Sequence, residues 1–153
     1  MLNSPIPEFS LLGTSGLQFH SHDYAGKFLV LYFYPKDATP GCTTQGMQFR
    51  DAHADFTAAN SVIFGISRDS LKSHESFKAK YSFPFELLAD SEEVACQLFD
   101  VIKMKNMYGK QVRGIERSTF LFNPQGQLVQ AWRKVKVDGH AAEVLTLIQS
   151  LQS

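Results

Sequence analysis

Two cysteines in 153 residues are too few for a disulfide scaffold. Cys42 and Cys96 stand far apart with no C-x-x-C between or around them, so a zinc knuckle is excluded as well. Charge of one sign is also missing: fifteen Lys and Arg balance fifteen Asp and Glu, without a long block of either. A nucleic-acid backbone or an anionic membrane is therefore not the expected partner. The longest apolar run, FLVLYFY from Phe28 to Tyr34, is far too short for a membrane-spanning helix and reads as a buried strand. The N-terminal MLNSPIPEFS has no basic cluster followed by an apolar stretch, so the expected compartment is a reducing cytoplasm. Histidine is scattered, and only His20 and His22 lie close together. With no carboxylate or thiolate motif beside them, they read as the polar face of an edge strand and not as a metal site.

What is present supports one core. At 153 residues and 44% hydrophobic content, the chain can bury about two-thirds of its unfolded surface, and one domain over residues 1–153 is expected. FSLLGTSGLQFH predicts an N-terminal β-hairpin around Gly13 to Gly16, with a loop to Gly26. Phe49, Ala52, Phe56 and Ala59 recur at helical spacing and predict a helix over about 42–59. SVIFGISRD predicts a second apolar strand, Ser70 a cap for a helix through Tyr81, FELLAD a short extended piece and SEEVACQLF a short helix. STFLFNPQGQLVQAW predicts a hairpin around Asn123 to Gly126. Asp138 is the expected cap of a closing helix with Ala141, Val144, Leu145, Ile148 and Leu151 on its apolar face. This order predicts an α/β fold with a thioredoxin-like central mixed sheet and helices on both faces.

In that frame Cys42, within YPKDATPGCTT, falls at the carboxyl end of a central strand and the amino end of the next helix, where open α/β sheets collect ligands. Thr39 precedes proline and is the expected N-cap, with Pro40 at the first helical position. Cys42 then lies in the first turn, where unpaired N–H groups and the helix dipole favour a thiolate. Gly41 leaves a narrow approach to it. Acidity alone achieves little: lowering a thiol from ~8.5 to ~6 gains about 30-fold in thiolate at pH 7 but loses roughly 13-fold in nucleophilicity. A fast nucleophile needs a donor for charge developing on the leaving group. Arg117, just before the STFLF run, could reach the same end of the sheet, and from spacing Arg113 serves as well.

At these residues the sequence resembles the peroxiredoxins of the peroxiredoxin Q, or bacterioferritin comigratory protein, type. The pattern carrying the resemblance is Pro35, Thr39 and Cys42 within YFYPKDATPGCTTQGMQFRD, with ERSTFLFNPQG and WRKVKVDGHAAEVL further on. The resemblance implies a thiol-dependent peroxidase without metal, haem or flavin, reducing hydrogen peroxide and organic hydroperoxides. Cys42 is then the peroxidatic cysteine, becoming a sulfenic acid. Arg117 and Thr39 bind the peroxide, and Pro35 shields the pocket. Thioredoxin or another thiol is the implied reductant, and a monomer the implied state. Two positions depart from the pattern: Gln45 stands where glutamate is common, and Met47 where many members carry a resolving cysteine. Cys96 is a possible resolving cysteine, and a packed core thiol otherwise. Two other readings compete: a cysteine hydrolase pairing Cys42 with His53 or His140, and a non-catalytic thioredoxin-like binding or chaperone module.

Overall fold

The structure is a computed structural model and describes residues 2–152. Its centre is a seven-stranded mixed sheet of order β2-β1-β5-β4-β3-β8-β9. The expected N-terminal hairpin is β1 (Ser10–Gly13) and β2 (Gln18–His20), paired antiparallel at one edge. β3 (Phe28–Phe33), β4 (Ser61–Ser67) and β5 (Glu86–Ala89) run parallel. β8 (Ser118–Phe122) and β9 (Leu128–Trp132) form the hairpin at the other side, with β8 antiparallel to β3.

All six residues of β3 are buried, as an inner strand covered on both faces requires. Alternation then divides the core in two. Phe28, Val30, Tyr32 and Tyr34 face one cluster, with Phe49, Phe56, Phe77, Val144 and Ile148 from the helices. Leu29, Leu31 and Phe33 face the other, with Phe9, Phe19, Phe99 and Ile115. The first face carries α1 (Pro40–Asp51), α2 (His53–Ala58), α3 (Leu71–Tyr81) and α5 (His140–Leu151), whereas α4 (Val94–Leu98) packs on the second.

Several boundaries differ from expectation. The helix expected over 42–59 is two helices meeting at Ala52, whose backbone (φ −95, ψ 2) ends one and caps the next. Phe49 and Phe56 still share one core, so the apolar spacing runs through the break unaltered. The cap of α5 is Gly139 and not Asp138: its left-handed φ of 74 turns the chain, and its carbonyl accepts the Glu143 N–H. His20 ends edge strand β2 and bonds Ser10, but His22 lies beyond it in a short 3-10 turn and faces the Ile6 carbonyl. Ser70 caps α3, accepting from the Ser73 N–H. An element without a sequence prediction is the ribbon of β6 (Ile102–Met107) and β7 (Lys110–Ile115), which pair with each other outside the main sheet. Its turn residues Tyr108 and Gly109 both have positive φ, the backbone of a tight primed turn.

Glycine is required at one packing point under the site. A Cβ on Gly46 of α1 would lie 2.4 Å from the Phe83 ring. Gly46→Ala is expected to cost ~1–3 kcal/mol through overpacking, read as a lower urea midpoint at unchanged slope. An unshifted midpoint would show that Phe83 yields freely.

Candidate active site

Thr39 takes extended angles (φ −80, ψ 153) and Pro40 opens α1, as the Thr-Pro pair dictates. The helical ladder starts with Thr43 N–H donating to the Thr39 carbonyl at 2.9 Å. The amides of Gly41 and Cys42 thus lie ahead of it, at the positive end of a twelve-residue helix. Thr39 caps through its backbone position alone. Its hydroxyl donates instead to the Lys36 carbonyl at 2.8 Å. Cys42 is buried, with 2% of its surface exposed.

Arg117, in the link between β7 and β8, reaches this thiol. Its Nη2 donates to Cys42 Sγ at 3.5 Å, and its Nη1 to Gln45 Oε1 at 2.6 Å. The fork therefore joins two residues one helical turn apart. Gly41 keeps the path open, since a Cβ there would stand 3.2 Å from Nη2. Arg113 is engaged elsewhere: both of its terminal nitrogens donate to the Glu93 carboxylate, which Arg68 also contacts. The Arg113 hydrogen bonds are the main cause that holds the Glu93 carboxyl down to about 2. Of the two arginines that spacing left open, Arg117 is the one at the cysteine.

Gln45 is fully buried and neutral, so no carboxylate opposes the guanidinium charge there. Its Nε2 has no hydrogen-bond partner among the described residues. The Tyr32 phenol is pushed well up by burial and then by Cys42, and stays neutral in the floor of the site. Lys105 of β6 is a neighbour that sequence reasoning missed. Its ammonium donates to the Ile115 carbonyl, and burial, then Arg117, lowers its pKa. The lysine alternation of β6 was its only signal. Pro35, at the exit of β3, and Thr39 are both half-buried.

The remaining candidates make their contacts with groups other than the Cys42 thiol. His53 lies against Phe85, at 6.4 Å between ring centroids. His140 bonds the Thr119 hydroxyl at 2.8 Å. Among the described residues, Sγ has a guanidinium and not an imidazole as its hydrogen-bond partner. Cys96 is fully buried in the core cluster on the opposite sheet face from Cys42. Burial first, then Asp90, pushes its thiol far above the ordinary range.

A helix-start thiol with a guanidinium donor and little water can attack an electrophile whose leaving atom acquires charge. Comparison with known proteins agrees with that chemistry. The AhpC/TSA family model matches residues 2–131. The chain is 57% identical to the peroxiredoxin Bcp of Xanthomonas campestris over 152 residues, covering 98% of this chain and 95% of that one. It is 48% identical to the peroxiredoxin Bcp of Bacillus subtilis over 150 residues, covering 98% and 96%. Among solved structures, a cysteine-to-serine mutant of Xylella fastidiosa PrxQ superposes with a TM-score of 0.95 at 44% identity, covering 100% and 98%. The Xanthomonas bacterioferritin comigratory protein, solved as a trapped intermediate/ligand complex bearing on its alkyl peroxide reduction, superposes at 0.90 with 54% identity, covering 95% and 92%. With near-full-length identities of this size on a thioredoxin fold, the chain belongs to the AhpC/TSA family and is a thiol-dependent peroxidase, a peroxiredoxin of the Bcp or peroxiredoxin Q type.

Proposed function

We propose that Cys42 is the peroxidatic cysteine and that Arg117, Thr39 and Pro35 form its peroxide site. The carrying observation is the Arg117 Nη2 to Cys42 Sγ hydrogen bond at 3.5 Å, made at the start of α1. The thiolate attacks one peroxide oxygen, the O–O bond breaks, and the leaving oxygen departs as water or an alcohol after taking a proton. Cys42 becomes a sulfenic acid. The guanidinium donates to the oxygens as charge moves onto the leaving one. Thr39, its own proton directed to Lys36, is an acceptor for the peroxide's O–H. Pro35 covers the approach and limits water. Hydrogen peroxide and organic hydroperoxides are the proposed substrates, the latter supported by the alkyl peroxide reduction of the Xanthomonas relative. Stopped-flow oxidation with hydrogen peroxide and cumene hydroperoxide tests this. Saturable ester hydrolysis with no peroxide reaction would replace the reading by a hydrolase.

Recycling is proposed to need an external thiol, thioredoxin being the reductant tested first, in a single-domain monomer working in the cytoplasm. Two features support a one-cysteine cycle. Met47 occupies the near-neighbour position, and Cys96 belongs to the core on the far side of the sheet. A disulfide needs Cα atoms within about 7 Å, which two cysteines packed on opposite faces meet only after unfolding. After one equivalent of peroxide in thiol-free buffer, dimedone is expected to label Cys42, with no Cys42–Cys96 peptide in non-reducing maps. A dominant cross-linked peptide, with turnover lost in Cys96→Ser, would make Cys96 the resolving cysteine.

A further inference from the structure

The turn from β3 to α1 carries Pro35 and Thr39, and between them Asp37 enters a buried polar cluster that the chemistry above leaves unused. Three donors converge on its carboxylate. Tyr34 Oη reaches Oδ1 at 2.6 Å, while Ser73 Oγ and His74 Nδ1 reach Oδ2 at 2.8 and 2.7 Å. The Asp37 N–H donates to Asp69 Oδ2 at 3.0 Å, an oxygen that also accepts from the Ser67 hydroxyl at 2.5 Å. His74, fully buried, turns its Nε2 to the Leu88 carbonyl at 2.9 Å. A carbonyl only accepts, so Nε2 carries a proton. One further proton then lies between Nδ1 and Asp37. Asp37, Asp69 and His74 are close enough to hold a cation, but Asp37 Oδ2 and His74 Nδ1 are bonded to each other, and Asp69 Oδ2 accepts from the Asp37 N–H and the Ser67 hydroxyl.

The cluster therefore ties the turn to α3, to the exit of β4 and to β5. A second link passes this constraint on: Ala38 takes a left-handed φ of 64, and the Thr39 hydroxyl closes back onto the Lys36 carbonyl. We infer that Asp37 and His74 are positioning residues of the peroxide site, a latch that holds Pro35 and Thr39 in register over Cys42. This rests on the site proposed above. The latch governs where a peroxide's oxygens are met, whereas the thiol's intrinsic reactivity arises from Arg117 and the helix start. Reactions needing that geometry and reactions needing only a thiolate should therefore separate.

The test measures second-order rates of Cys42 with hydrogen peroxide and with iodoacetamide, in wild type, Asp37→Ala, His74→Ala and Asp37→Asn. In the alanine variants the peroxide rate is expected to fall about tenfold or more, as a misplacement near 1 Å can cause, with alkylation within about threefold of wild type. Asp37→Asn should recover most of the peroxide rate, its amide oxygen accepting from Tyr34 and its NH2 donating to a neutral His74 Nδ1. Peroxide rates unchanged in the alanine variants, both rates falling by one common factor, or asparagine as slow as alanine would each overturn the latch. If the alanine variants do not fold, the shape-preserving double variant Tyr34→Phe/Ser73→Ala replaces them. It should slow peroxide about fivefold with alkylation unchanged, and an unaltered peroxide rate there overturns the latch equally. Failure of the underlying site is distinguishable, because Cys42→Ser would then still react with peroxide.

Discussion

Cys42→Ser is expected to consume no peroxide above the protein-free rate, with far-UV circular dichroism unchanged. Serine is nearly isosteric at this buried position, but its alcohol is scarcely ionised at neutral pH. Among the described residues the hydrogen-bond partner of Sγ is a guanidinium, which cannot take its proton. Cys96→Ser is the informative contrast. It places a hydroxyl at a site with no exposed surface, so stability should fall by ~1–3 kcal/mol. The oxidative half-reaction should keep its rate, because that thiol lies across the sheet. Normal peroxide oxidation of a folded Cys42→Ser protein would remove Cys42 from the mechanism.

Arg117→Lys should keep the fold and slow oxidation by on the order of a hundredfold or more, corresponding to ~3–4 kcal/mol for one donor lost at developing charge. Lysine retains the charge, but a single ammonium cannot reproduce the planar fork that meets Cys42 Sγ and Gln45 Oε1 together. Arg113→Lys is the control, expected within about twofold of wild type, since its partner is Glu93 and not the Cys42 thiol. Stopped-flow oxidation of both variants decides. An undiminished rate for Arg117→Lys, with Arg113→Lys impaired, would transfer the donor role.

The place of the cysteine at a helix start was readable from sequence because its signals are local. A strand of continuous apolar residues, a threonine before proline and a glycine specify the helix start within a few positions. The arginine was readable only in part. Arg113 and Arg117 flank the same strand end, and what separates them is Glu93, held in a left-handed N-cap (φ 62) twenty residues earlier. Such a pairing leaves no local trace. The break at Ala52 was hidden because one hydrophobic period spans both helices. The β6–β7 ribbon was missed for the converse reason, its strands carrying lysines where a buried strand has valines, with tyrosine in place of the usual turn asparagine. His74 read as the interior of a well-capped helix, and nothing in SRDSLKSHESF announces a carboxylate from a turn more than thirty residues before it.

The placement of the two thiols on opposite sides of a seven-stranded sheet also bears on how the enzyme dies. On the proposed one-cysteine cycle, the Cys42 sulfenic acid is in a race between a reducing thiol and a second peroxide, and the second peroxide carries it to sulfinic acid, an irreversible loss outside specialised rescue. The fraction surviving each turnover then follows the ratio of reductant to oxidant outside the protein, weighted by the site's rate constants for the two reactions. Activity should accordingly fade with cumulative peroxide dose when reductant is scarce, and hold when reductant is kept in excess.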